Sequence, residues 1–340
     1  MKNIFITGGA GYIGTHCVIS LISNGYNPIV LDNFSNSHKS VINKLEKISN
    51  KKIIFYNIDI RKKKKLRSIF QKHSCYAVIH CAGFKSVGES TKKPISYFDN
   101  NIRSTLSLLE SMEENKVFKI IFSSSASVYD ESQKSPLKES MKIGNTKNPY
   151  SASKYIIERI LMDLARFDNR WSIRIARYFN PISNHFSGLI KECPKGIPNN
   201  LIPYIIKVSQ KKLPLLKVFG KNYKTRDGTG IRDYIHVMDL ADAHVSMIRK
   251  NRLKKGIKIY NLGTGKGSTV LEVIKAFEKY TGIYIPHKFT KRREGDAAIS
   301  FCSSEKATKE LNWKARFDLN QSMIDIKKII KKKIIKIKKR

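Results

Sequence analysis

In the first half of the chain, apolar positions show two textures. Short, nearly continuous runs of Ile, Val and Phe read as buried strands. Between them lie longer stretches where apolar residues recur every three or four positions, the period of an amphipathic helix. Residues 4–7 (Ile-Phe-Ile-Thr) are the first run. A helical pattern follows over about 15–23 and stops at Asn24-Gly25, and a second run at 27–31 ends in Asp32. Further runs lie at 53–58, ending at Asp59, at 76–80, opening into Cys81-Ala82-Gly83, and at 118–122, with serines 123–125 at its carboxyl end. Helical periodicity covers about 94–115 and the stretch from Tyr155 onward, and a sixth strand follows Trp171 over 172–176. Strands alternating with helices predict an α/β fold, a doubly wound parallel sheet with ligands at the carboxyl ends of its strands. The polar clusters fall at those ends.

Beyond Arg177-Tyr178-Phe179-Asn180-Pro181 the loops lengthen and fill with Gly, Pro and Asn. This change predicts a first unit over 1–180 and a smaller α/β unit over 181–325, with residues near 235–245 packing back on the first. Residues 326–340 are rich in Lys and Ile and read as a basic low-complexity tail, frayed rather than membrane-bound.

Charge is unusual. Lys and Arg number 65 against 27 Asp and Glu, a formal net charge of +38. The lysines are spread along the chain, with no single basic stripe interleaved with aromatics, so compositional bias is the better reading and no nucleic-acid partner is expected. Anionic ligands should still be attracted. The five cysteines, Cys17, Cys75, Cys81, Cys193 and Cys302, form no C-x-x-C motif, which predicts reduced thiols in a cytoplasmic protein and no metal site. The first residues lack a signal-peptide pattern, because Thr7-Gly8-Gly9-Ala10-Gly11 interrupts the apolar run. No apolar run approaches the ~20 residues of a membrane span, so no membrane partner is expected.

Two clusters point to chemistry. The first strand leads into Gly8-Gly9-Ala10-Gly11-Tyr12-Ile13-Gly14 and then a helix, and the second strand ends at Asp32, 18 residues after the last glycine. Glycines at a strand-to-helix turn let the backbone approach a pyrophosphate, which the helix N-terminus stabilises. A carboxylate at Asp32 suits the adenosine ribose hydroxyls and repels a 2′-phosphate, so NAD is favoured over NADP; Asp59 is placed for the adenine amino group. The second cluster is Tyr150 and Lys154, four residues apart and hence on one face of a helix. A phenol's ordinary pKa is about 10, and a nearby ammonium favours the phenolate, so the pair is a candidate proton-transfer device.

A nicotinamide site, a Tyr/Lys pair and a strand-end serine together resemble the extended short-chain dehydrogenase/reductase family. The resemblance covers roughly residues 1–318. Within the family it is closest to the branch that inverts C4 of UDP-hexoses. It runs through Gly8–Gly14, Asp32-Asn33, Asp59-Ile60, the 82–90 and 99–101 stretches, Ser123–Ala126, Tyr150–Lys154, Arg177–Pro181, 196–201, 227–237 and 292–296. It implies a Rossmann-type fold, a homodimer, and reversible epimerisation of UDP-galactose and UDP-glucose through a transient 4-keto sugar on tightly held NAD. Tyr150 then exchanges the proton of the sugar 4-hydroxyl. Lys154 lowers its pKa and holds the nicotinamide ribose, and Ser125 hydrogen-bonds the same oxygen. Cofactor contacts fall to Gly8, Gly11, Tyr12, Ile13, Gly14, Asp32, Asn33, Asp59, Ile60, Ala82, Gly83, Lys85, Asn100 and Ser123, with Tyr178 at the nicotinamide. Substrate contacts join Ser125 and Tyr150 with Asn180, Asn200, Leu201, Arg232 and Arg293 around the diphosphate, Phe219 on uracil and Asp296 on the uridine ribose. Ser300 stands where bacterial relatives often carry Tyr beside the sugar 2-position, and its small side chain leaves room for an N-acetyl group.

A related 4,6-dehydratase needs an Asp-Glu pair after the strand-end residue. Here Ala126-Ser127 follow Ser125, which disfavours that alternative, while a decarboxylase of the same fold and an inactive basic nucleic-acid-binding relative stay open. One departure touches the backbone: Ser183-Asn184-His185-Phe186 replaces the family's Gly-Ala-His-Pro, so loss of the glycine strains the loop unless Asn184, which can adopt a left-handed conformation, relieves it.

Overall fold

The computed structural model describes residues 1–193, 196, 198–249, 254–293 and 296–337, with side chains in the last helix described through Ile330. Lys195, Ile197, Glu294, Gly295 and tail residues 338–340, all within stretches singled out above, lie outside the described residues. The chain begins with a repeated strand–helix alternation: β1 (Asn3–Thr7), α1 (Tyr12–Ser23), β2 (Asn27–Asp32), α2 (Ser40–Ser49), β3 (Ile54–Asn57), α3 (Lys63–Lys72) and β4 (Cys75–His80). The segments α4 (Val87–Lys92), α5 (Pro94–Phe98) and α6 (Ser104–Glu114) follow, the last two joined by a π-helical turn at Asp99–Arg103. β5 (Lys119–Ser125), α7 (Pro149–Phe167) and β6 (Ser172–Tyr178) complete the first half. Alternate residues of each strand serve opposite faces. Ile4, Ile6 and Val30 enter one core with α1, while Phe5, Ile29 and Leu31 enter the other with α3, α6 and α7.

The second half contains β7 (Asn180–Ile182), α8 (Leu201–Ser209), β8 (Leu216–Phe219), β9 (Ile231–His236), α9 (Val237–Ile248), β10 (Gly256–Leu262) and β11 (Gly267–Thr269). It closes with α10 (Val270–Thr281), β12 (His287–Thr290), β13 (Ile299–Ser300), α11 (Glu305–Leu311) and α12 (Leu319–Ile337). The main sheet has seven strands in the order β10-β6-β5-β4-β1-β2-β3, and all its pairs are parallel. Around β9 a smaller sheet forms, with β11 antiparallel and β13 and β7 parallel to it, and β8 pairs β12.

Two features differ from the pattern-based expectation. First, the main sheet takes a seventh strand, β10, from residues that the composition change assigns to the second unit, beyond the 235–245 segment read as packing back; α9, in that segment, lies on α1, where Ser20 Oγ donates to Asp242 Oδ1 at 2.6 Å. Loop composition registers a change of texture, whereas the sheet edge is set by which strand can extend the β6 ladder. Second, residues 326–330 are not frayed tail. They belong to α12, and Met323, Ile326 and Ile330 are buried in the core of the smaller unit with Val273, Ile274 and Phe277 of α10, while Ile329 is also buried. Their spacing fits one helical face, and the intervening lysines hid it in a low-complexity run.

Candidate active site

The carboxyl ends of the main sheet open into a cleft of about 830 Å3, closed on its far side by the smaller unit. Every site residue named from the sequence lines it.

The glycine loop forms its floor. Gly8 has φ +66°, and a Cβ there would lie 2.7 Å from the Ala82 nitrogen; a Cβ on Gly14 would lie 2.3 Å from the Gly8 carbonyl oxygen. Only glycine permits this approach of the β1–α1 turn to α1 and to the loop after β4. No side chain caps α1, and Tyr12, Ile13 and Gly14 line the cleft, the arrangement in which a helix N-terminus takes an anion. Asp32 fixes the loop: its Oδ2 accepts from Ala10 N at 3.0 Å, and its Oδ1 from Phe34 N at 2.7 Å and Ser37 Oγ at 3.1 Å. Burial pushes its carboxyl above the ordinary range, and these three donors oppose that. The cradle fits a dinucleotide diphosphate, with Asp32 and exposed Asn33 beyond it. Asp59 lines the cleft beside buried Ile60, but its carboxylate is taken up by Arg61, whose Nε donates at 3.0 Å.

Tyr150 and Lys154 stand in the first turns of α7, which starts cleanly because Asn148 Oδ1 accepts from Ser151 N at 2.9 Å and Pro149 occupies the first helical position. Burial raises the Tyr150 phenol; the adjacent Ser125 hydroxyl and the Lys85 charge draw it down. The Tyr/Lys spacing assigned that electrostatic role to Lys154, whereas the cation that draws Tyr150 down here is Lys85. Lys154 Nζ donates to the Ser123 carbonyl at 2.6 Å and lies over the Phe122 ring, and burial lowers its own pKa to about 8. A lysine one turn away in sequence turns under the strand end when a carbonyl offers a strong acceptor there. Lys85, meanwhile, pairs with Glu192 at 2.6 Å. Tyr178 is buried, and its hydroxyl meets His244 Nε2; His244 Nδ1 lies 2.8 Å from the Leu240 carbonyl, and burial lowers the ring to about 4, so Nδ1 donates there and Nε2 accepts from Tyr178. Asn100 sits on the π-helical turn, its Nδ2 donating to Asn101 Oδ1 at 3.0 Å.

Across the cleft, Asp296 lies between two guanidiniums, 3.5 Å from Arg232 and 3.1 Å from Arg293. Arg293 covers the Phe219 ring at 4.5 Å. Asn200, at the N-terminus of α8 next to Leu201, donates to Glu192 at 3.2 Å, and Asn180 begins β7. Ser300 pairs with Arg232 between β13 and β9. In the 183–186 stretch, Ser183 rather than Asn184 takes the left-handed conformation, φ +75°, with its carbonyl accepting from Tyr12 Oη at 2.8 Å and its Oγ donating to Ser322 O at 3.1 Å. The family's glycine position keeps its backbone, and these bonds hold serine in it.

Sequence reasoning missed several residues. Asn101 is buried: Oδ1 accepts from Phe84 N at 2.7 Å, and Nδ2 donates to Ser153 Oγ at 2.9 Å. Glu192 bridges Lys85 and Asn200 across the cleft, and Asp233 accepts from Thr264 and Gly265. Glu158 and Arg177 form a buried ion pair beneath the ends of β5 and β6. Asn101, Arg177 and Asp233 fall in stretches that carry the resemblance, though with no site role assigned, and Glu158 was signalled only by its helical spacing from Lys154. Among the described residues no group of three or more His, Cys, Asp or Glu is arranged to hold a metal, and no helix is long and apolar enough to cross a membrane.

Comparison with known proteins gives consistent findings. The model of the NAD dependent epimerase/dehydratase family matches residues 4–263. The UDP-glucose 4-epimerase of Neisseria gonorrhoeae is 47% identical over 322 residues, covering 95% of each chain. The crystal structure of the Bifidobacterium longum UDP-glucose 4-epimerase in complex with NAD+ and UDP superposes with a TM-score of 0.93 at 45% identity, covering 97% of this chain and 98% of that one. That of Stenotrophomonas maltophila, with bound NAD and formylated UDP-arabinopyranose, gives 0.94 at 41%, covering 99% and 100%.

Proposed function

The chain belongs to the NAD dependent epimerase/dehydratase family, and from that premise we propose that it interconverts UDP-galactose and UDP-glucose by inverting C4 through a transient 4-keto sugar. One observation supports this above the rest: Tyr150, Lys154 and Ser125 share a cleft with the glycine cradle on one wall and Arg232 and Arg293 on the other. A dinucleotide on the cradle and a nucleoside diphosphate sugar against the arginines would meet at Tyr150. NAD, held by the loop residues 8–14, Asp32-Asn33, Asp59-Ile60, Ala82-Gly83, Lys85, Asn100, Ser123 and Tyr178, supplies reversible hydride acceptance at C4.

The residues of this chain handle the proton and the grip. Tyr150, as phenolate, takes the proton of the 4-hydroxyl and later returns it. Ser125 hydrogen-bonds the same oxygen, and Lys154 holds the cofactor ribose. Arg232 and Arg293 suit a diphosphate because a planar guanidinium can donate to two oxygens at once, with Asn180, Asn200 and Leu201 beside it. Binding there requires Asp296 to turn from the arginines toward the uridine ribose, and Arg293 to leave the Phe219 ring to uracil. Because the hydride goes back to the sugar, the enzyme needs no second oxidant.

The same reading includes N-acetylated UDP-hexosamines, admitted by Ser300, and function in the cytoplasm, supported by five free cysteines. It also includes a homodimer through α5–α6 and α7, where Ile95, Leu106 and Ile156 are exposed. The test is direct. Purified protein incubated with UDP-galactose and no added NAD should yield UDP-glucose. Absence of product both without and with added NAD overturns the reading.

A further inference from the structure

Glu158 lies on α7 four residues beyond Lys154 and eight beyond Tyr150, on one stripe of the helix. Its side chain is 0% exposed, and that of its partner Arg177 is 1%. The carboxylate accepts from Arg177 Nη2 at 2.7 Å, from Arg177 Nε at 3.1 and 3.2 Å, and from the Ser124 hydroxyl. Ser124 precedes Ser125 on β5, and Arg177 precedes Tyr178 on β6. One carboxylate therefore ties the helix of Tyr150 and Lys154 to the strand ends that present Ser125 and Tyr178. A buried ion pair is often no more stabilising than apolar packing of the same volume, so stability alone accounts poorly for it.

Its charge also reaches the site. The titratable groups around Lys154 are Tyr150 and Glu158 on its own helix, His80 and Cys81 at the end of β4, and Arg177 and Tyr178 on β6. Glu158 is the carboxylate among them. We propose that Glu158 is a positioning residue for the proposed reaction: it locks α7, which carries Tyr150 and Lys154, on the ends of β5 and β6 and places a carboxylate one helical turn from Lys154. This rests on the epimerase reading for which atoms react. Burial lowers Lys154 to about 8, and Cys81 and then Glu158 oppose that fall. Removing the negative charge moves the Lys154 titration further down, so the ammonium is lost at lower pH.

The test combines Glu158→Gln with Ser124→Ala in the NAD-bound protein. In Glu158→Gln, the alkaline limb of the kcat profile for UDP-galactose should move to lower pH by about one unit. Ser124→Ala keeps the charge and loosens the clamp, so kcat should fall with KM and the limb in place. Competitive acetylation of Lys154, followed by mass spectrometry across pH, reads the same shift without turnover. A wild type that turns nothing over would thus remove the epimerase reading while leaving the Lys154 titration measurable. If Glu158→Gln does not fold, Ser124→Ala alone tests the clamp through kcat. An unshifted Lys154 titration in folded Glu158→Gln, or an unchanged kcat in Ser124→Ala, overturns the proposal.

Discussion

Ser300 decides a question of size at a single position. It lines the cleft from β13, in register with Arg232 of β9. In the proposed reading, a hydroxymethyl leaves the space that a phenol ring would fill, and an N-acetyl group beside the sugar 2-position would take it. Ser300→Tyr should therefore abolish turnover of N-acetylated UDP-hexosamines while UDP-galactose turnover stays within about threefold, since steric exclusion by a buried ring costs several kcal/mol and the smaller sugar does not meet it. Parallel assays of the two sugars check this, and equal loss of both activities would contradict it. At the same scale, Tyr150 and Lys154 were legible from spacing alone, but the partner of each was not. Whether a lysine faces a phenol or a carbonyl depends on atoms from another strand, here Ser123 O.

Among the elements, α12 shows how a packing face hides in biased composition. Its lysines suggest a solvated tail, yet Met323, Ile326 and Ile330 recur at helical spacing and fill the core beside α10. Ile326→Ala should lower stability by about 2–5 kcal/mol, as buried large-to-small changes do, read as a lower urea midpoint. A change under about 0.5 kcal/mol would show that this helix end does not contribute to the fold. α7 behaves in the opposite way. Its periodicity from Tyr155 onward and its reactive pair were readable, whereas its cap at Asn148-Pro149 and its anchor, the Glu158–Arg177 pair, were not; the anchor needed β6 placed beside β5. The π-helical turn at Asp99–Arg103 likewise escaped the helical reading of 94–115, because one extra residue per turn leaves no mark in the hydrophobic pattern.

The molecule as a whole carries a formal charge of +38 and is proposed to bind dianionic nucleotide sugars. A field of that sign raises local substrate concentration and is screened over about 10 Å at 0.1 M salt. KM for UDP-galactose should rise severalfold between 20 and 200 mM NaCl with kcat nearly constant (about a tenfold range of ionic strength, enough to halve the Debye length or more). A KM independent of salt would mean that local pairs such as Asp296 with Arg232 and Arg293 dominate instead.

The sequence by itself determined the alternating α/β order, the glycine loop with Asp32, and the one-turn spacing of Tyr150 and Lys154. Each is written in local spacing: period two or 3.6 for the elements, glycine where a side chain would collide, one helical turn between reactive groups. Tertiary structure alone decided that β10 closes the main sheet, that residues 326–330 are core, that Ser183 carries the left-handed backbone, and that Glu158 joins three elements under the site. These depend on partners far apart along the chain, and no local pattern records which strand, helix or charge will become a neighbour.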